Sequence, residues 1–181
     1  MLDKLRAGLH IYVREGSGAK NLETLIKTML DAGVCLDRCA FCTDDKHVEE
    51  IRKEGHISTC IRKAIALGVP VAKAYKMGSY QAAEFYGLKN YGAIGAGYRA
   101  DIVFLDDLEQ VRPLDVMKDG RILTEEDYAK DYSVPVPDEL LHTVHVGEVT
   151  KEKIRLSCDG KTDVIQMNPH QIVTTHLLPL Q

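Results

Sequence analysis

No apolar run in the 181 residues approaches the roughly 20 needed to span a bilayer. The opening stretch, MLDKLRAGLH, lacks the apolar core of a secretion signal. A cytoplasmic protein without a membrane partner is therefore expected. Basic residues are not in excess. The formal net charge is −4 and the signs are interleaved, which sets aside the basic face of a nucleic-acid binder. A disulfide framework is missing too. The cysteines are Cys35, Cys39, Cys42, Cys60 and Cys158, an odd set without framework spacing. No second CxxC or HxxxH pair completes four metal ligands around the first three. Cys39 and Cys42 read instead as small apolar residues in a buried strand. Internal repeats and low-complexity segments are also absent.

What remains is a globular chain with a hydrophobic fraction of 45%, enough to bury a sizeable core. LHIYV (9–13) is a short apolar run ending in REGSG, a strand followed by a polar loop. KNLETLIKTMLDAG then sets Leu22, Leu25, Ile26, Met29 and Leu30 at helical spacing, with Gly33 as C-cap. RCAFC (38–42) is a second short strand, and it too ends in a polar loop, TDDKH. Helices are expected over 48–53, 57–67, 71–76 and 81–86, the last capped by Ser79 and stopped by Gly87. Strands joined by helices imply parallel pairing, and parallel α/β folds place their chemistry at the C-terminal ends of the strands.

Beyond residues 90–96 the texture changes. GAIGAGYRADIVFLDDL is glycine-rich and then strand-like, but its glycines precede a strand rather than open a helix, which removes a dinucleotide loop. Asp119-Gly120 marks a hairpin, and EEDYAKDY a short helix. From His142 onward HTVHVGEV, KIRLSC, DVIQM and QIVTTHLLPL read as strands. The fold class is thus α/β followed by β, with residues 1–92 as the α/β part and 93–181 as the β part. Two βα units make an incomplete sheet, so the α/β part docks on something further or is a fragment.

Two loops carry candidate chemistry. In TDDKH, a carboxylate at a buried strand end can accept a proton from an activated water. Adjacent residues on a strand end diverge, so Asp44 and Asp45 should not share a role. Asp-Asp ahead of a helix is equally an N-cap with dipole compensation. In REGSG, Arg14, Glu15 and Ser17 either bind a polar substrate or serve as a surface pair and a helix cap. His56, in EGHIS, reads as structural. His142, His145, His170 and His176 receive no role; the first two would face opposite sides of a strand.

Several segments in order resemble a known family. GAIGAGYRADIVFLDDLEQVRPLDVMKDGRIL resembles the segment that leads from the metal-dependent (β/α)8 barrel of the amidohydrolase superfamily into its β-sandwich. IYVREGSGAKNL, FCTDDKH, EGHISTCIRKAIALGV and VIQMNPHQIVTT resemble, more narrowly, the adenine deaminases. The resemblance implies that 9–14 and 39–43 are the seventh and eighth barrel strands, the last two βα units, followed by part of the C-terminal β domain. It implies that Asp44 approaches a divalent metal (Mn, Fe or Zn) and takes the proton of the attacking water. Arg14, Glu15, Ser17, Asp45 and His47 would face the substrate. The implied reaction is hydrolysis of adenine to hypoxanthine and ammonia, in purine salvage, by a complete protein that is a homo-oligomer. The remaining metal ligands, the HxH pair included, would lie upstream of this chain and the β domain would continue past Gln181, so the 181 residues alone should be inactive. KMGSYQAAEFYGL departs from the family's version of that helix, and GAIGAG lacks its usual proline. Another amidohydrolase substrate, such as a cyclic amide or a different aminated heterocycle, stays open, as does a non-catalytic module associating through its β half.

Overall fold

The computed structural model describes residues 1–131, 133–157, 163–169 and 171–177. Cys158 and His170 lie outside the described residues. Two compact units result: Met1–Leu123 with Met167–Val173, and Thr124–Gln166 with Thr174–Gln181.

In the first unit a short helix, α1 (Leu2–Arg6), leads into β1 (Ile11–Arg14). Helix α2 (Leu22–Asp31) returns the chain to β2 (Cys39–Cys42). The two strands pair in parallel, Ile11 with Cys39 through Arg14 with Cys42, as their helical connection requires. Then follow α3 (Val48–Glu54), α4 (Ile57–Ala66), α5 (Val71–Gly78) and α6 (Tyr80–Phe85). Gly87 closes α6 with φ 66°, the left-handed stop its position predicts. Ser79 stands at the N-terminal boundary of α6, but its hydroxyl does not cap that helix. It donates back to the Tyr75 carbonyl at 2.6 Å, because the junction with α5 offers that acceptor first.

The core lies on one face of this strand pair. Val13, Cys39 and Phe41 meet Leu22, Ile26 and Met29 of α2 and Cys60, Ile61 and Ala64 of α4. Each fully buried large side chain contributes about 1.5–3 kcal/mol. The Cys39 thiol packs at 3.6 Å from the Met29 sulfur, the apolar role its setting suggests. Alternation along the strands sends Tyr12, Arg14 and Cys42 to the opposite face.

The same unit ends in an antiparallel sheet, β3 (Ile102–Asp107), β4 (Arg112–Lys118) and β5 (Arg121–Ile122). Asp119 and Gly120, at φ 52° and 79°, make the expected hairpin. Tyr75 donates to the Leu108 carbonyl, and Val111 joins the core. These contacts tie the sheet to the helices.

In the second unit, α7 (Glu125–Ala129) is capped reciprocally by Thr124 and Asp127. Helix α8 (Asp138–Leu141) follows, and β6 (Val164–Met167) pairs with β7 (Thr174–Leu177). The strands expected over HTVHVGEV and KIRLSC do not form: 143–150 and 155–157 have no regular structure, and 151–154 is a turn. Val144, Val146, Val149, Ile154 and Leu156 are all exposed. A strand needs a paired neighbour and a face to bury, and these valines have neither. His142 and His145 are therefore not strand residues.

Candidate active site

The open face of β1 and β2 forms the floor of a cavity of about 880 Å3. Tyr12 and Arg14 come from β1, Cys42 from the end of β2, and Thr43 and Asp44 from the turn just after it. Asn21, Leu25, His56, Ile57, Tyr86 and Ile172 complete the lining. One wall is thus aromatic and aliphatic, and the strand ends supply the polar groups.

Arg14 and Asp44 meet across the mouths of the two strands. The guanidinium Nη1 donates to Asp44 Oδ2 at 2.5 Å. Solvent reaches the Asp44 side chain, which is 53% exposed, so the pair fixes orientation more than it adds stability. Asp44 takes φ 52°. Aspartate tolerates this left-handed geometry better than most residues. The turn points the Asp44 carboxylate into the cavity and throws Asp45 the other way. The divergence of the two aspartates was legible; its cause is this turn rather than strand alternation.

Asp45 joins the two loops. It accepts from the backbone N–H groups of Gly18 at 2.9 Å and Ser17 at 3.2 Å. The Gly18 N–H, with help from Ser17, holds the Asp45 carboxyl below its usual range. Gly16 makes this approach feasible, since a Cβ there would fall 1.9 Å from Asp45 Oδ1. Ser17 completes the staple: its hydroxyl donates to Glu50 and accepts from the His47 N–H at 2.9 Å. Ser17, Asp45 and His47 thus meet beside the cavity and are not among its lining residues.

Glu15 faces the helices. It is buried, accepts from Lys63 Nζ at 2.6 Å, and accepts from the Leu22 N–H at 3.3 Å. Strand alternation puts it on the side of Val13, opposite Arg14. Of the residues singled out in the two loops, Arg14 and Asp44 are the ones that reach the cavity. Tyr12, Tyr86 and His56 reach it as well. The Tyr12 phenol is pushed up to about 12 by burial, then by its contact with Tyr86. The rings of Tyr12 and Tyr86 are 5.8 Å apart, and Phe85 meets Tyr12 edge-on at 5.6 Å. Tyr12 was detectable in principle, since it shares a strand face with Arg14. Only the fold brings His56 there.

Residues 1–123 match the amidohydrolase family. The chain belongs to that family. It is similar to the adenine deaminase of Desulfitobacterium hafniense (strain Y51), 39% identical over 97% of this chain and 31% of that one. It is 40% identical to the adenine deaminase of Methylobacterium nodulans over 97% of this chain and 31% of that one. For the adenine deaminase of Clostridium acetobutylicum the values are 39%, 91% and 28%. The chain therefore spans about a third of the length of these relatives. In fold it is similar to the crystal structure of a beta-aspartyl dipeptidase from Fervidobacterium islandicum AW-1. The TM-score is 0.55 at 19% identity, covering 74% of this chain and 38% of that one.

Amidohydrolases generally depend on a divalent metal. Among the described residues no group of three or more His, Cys, Asp and Glu is arranged as ligands, and Asp44 is engaged by Arg14. Among the described residues no helix is long and apolar enough to cross a membrane.

Proposed function

We propose that this chain supplies part of the active site of an adenine deaminase, as the last two βα units of an amidohydrolase barrel (1–92) and part of the following β domain (93–181). The observation that carries the reading is Asp44. It stands at the C-terminal end of one of two parallel strands, aimed into a cavity and held by Arg14 from the neighbouring strand. The relatives' names supply the substrate.

The reaction adds water to the purine carbon that bears the exocyclic amine. The Asp44 carboxylate takes a proton from the water as its oxygen bonds to that carbon. It returns the proton to the amine nitrogen as the C–N bond breaks, leaving ammonia and hypoxanthine. General acid–base work of this kind contributes about 10²–10⁴-fold. Arg14 orients the carboxyl group for the two transfers. Tyr12, Tyr86 and Leu25 offer a flat apolar wall to a planar ring. Ser17, Asp45 and His47 act on the site by fixing the two loops, and Glu15 by anchoring the β1 loop to α2 and α4. No step is assigned to the metal, because no group of ligands for it is arranged among the described residues. Among the described residues the four cysteines are free thiols, Cys35 exposed among them, which suits a reducing cytoplasm.

The test is a substrate panel. The complete polypeptide that contains this segment is assayed with adenine, other aminated heterocycles and cyclic amides, following ammonia release. Adenine turning over fastest supports the reading. Preference for a cyclic amide overturns the substrate, and no turnover of any member favours a binding module.

A further inference from the structure

We infer that His56 is a positioning residue for Asp44, acting through the hydroxyl of Thr43. This rests on the reading above of Asp44 as the base. Thr43 is the last residue before the left-handed turn at Asp44, so its orientation sets where that carboxylate points. Thr43 is buried, and its Oγ1 meets His56 Nε2 at 2.7 Å. No other side chain bonds that hydroxyl among the contacts described.

The strut is anchored at both ends. His56 stands immediately before α4, whose Cys60, Ile61 and Ala64 are in the core. The turn that delivers it is clamped: Arg62 donates to the Glu54 carbonyl at 2.7 Å, and Thr59 Oγ1 bonds the same carbonyl. Gly55 takes φ 98°, and a Cβ there would come within 2.5 Å of Ser58 Oγ, so the close approach needs glycine. His56 itself is exposed and lines the cavity. A histidine kept only to fill the core would be covered. This one is solvated on the cavity side and bonded on the strand side, where a support for the Asp44 turn has to be.

The geometry makes a specific demand. Glutamine places its amide nitrogen where Nε2 stands, whereas asparagine mimics only the nearer ring nitrogen. In the complete polypeptide, His56→Asn and Thr43→Val should each lower kcat for adenine by about 10²-fold, the scale of a base displaced by an ångström, with KM changing far less. His56→Gln and Thr43→Ser should each retain more turnover than those partners. The double variant His56→Asn/Thr43→Val should lose no more than either single one, because both remove the same strut. Wild-type turnover with undiminished kcat in His56→Asn, or additive losses in the double variant, overturns the inference. If the wild type does not turn over adenine, the function proposed above fails, and the 181-residue chain decides this point alone. In its NMR spectra, Thr43→Val should shift the His56 ring nitrogens and the Asp44 amide; unmoved signals overturn the strut.

Discussion

Gly16→Ala tests the architecture of the two loops without relying on any activity. An alanine Cβ at this position would lie 1.9 Å from Asp45 Oδ1, 3.1 Å from its Cγ and 3.0 Å from the Thr43 carbonyl oxygen. The first contact is impossible, so something moves. The Asp45 carboxylate can swing aside only by releasing the Ser17 and Gly18 N–H groups that hold it. The Thr43 carbonyl belongs to the backbone and can give little. Overpacking of this kind costs about 1–3 kcal/mol. For a chain of this size each kcal/mol corresponds to roughly 2–4 °C in Tm. The expected Tm is therefore lower by about 2–12 °C when unfolding of the 181-residue chain is followed by circular dichroism. Gly147→Ala is the control, since nothing lies within 4 Å of its would-be Cβ. Adding Asp45→Ala removes the atom that is struck, so the double variant should lose less than the sum of the two singles. A Gly16→Ala chain that melts with the wild type would refute the stapled arrangement of the loops, and with it the fixed placing of Asp44.

Other outcomes follow from the same contacts. Lys63→Met leaves the buried Glu15 carboxylate with only the Leu22 N–H, and should destabilise by about 1–3 kcal/mol in urea unfolding. Native-state alkylation near pH 8 should label Cys35 first and leave Cys60 intact, because burial pushes the Cys60 thiol up to about 12; rapid labelling of Cys60 contradicts its placement. Ultraviolet titration should show a tyrosine ionising near 12 that Tyr12→Phe removes. Its folded value lies above the ordinary 10.0, so the stability Tyr12 adds is full below about 10 and is lost as pH rises toward 12. The Asp45 carboxyl is held low, so its staple is complete above the ordinary carboxylate range and is lost as pH falls below it. An NMR titration of the Gly18 amide follows that loss.

Much of the first unit was legible because its signals are local. Two apolar runs, each ending in a polar loop, gave the strands, and the helix between them gave the parallel pairing. Asp119-Gly120 gave a hairpin that any fold would have to respect. Glu15 shows where the reading stopped short. Strand alternation, which the turn at Asp44 replaces in TDDKH, does hold for Arg14 and Glu15, and would have turned Glu15 toward the helices. His56 carries no such signal, since its meeting with Thr43 depends on how α4 docks against β2. The late strands failed for a different reason. Val144 and Val146 match a strand period, but period alone supplies no partner to pair with and no surface to cover them.

The central claim is that Asp44 is the proton-transferring base of an adenine-hydrolysing site. Asparagine keeps the size of the side chain and tolerates the left-handed turn, so Asp44→Asn removes the charge with little else. The decisive measurement is ammonia release from adenine by the complete polypeptide, wild type against Asp44→Asn. A loss of kcat of about 10²–10⁴-fold in a folded variant is the predicted result. Wild-type turnover by Asp44→Asn would contradict it.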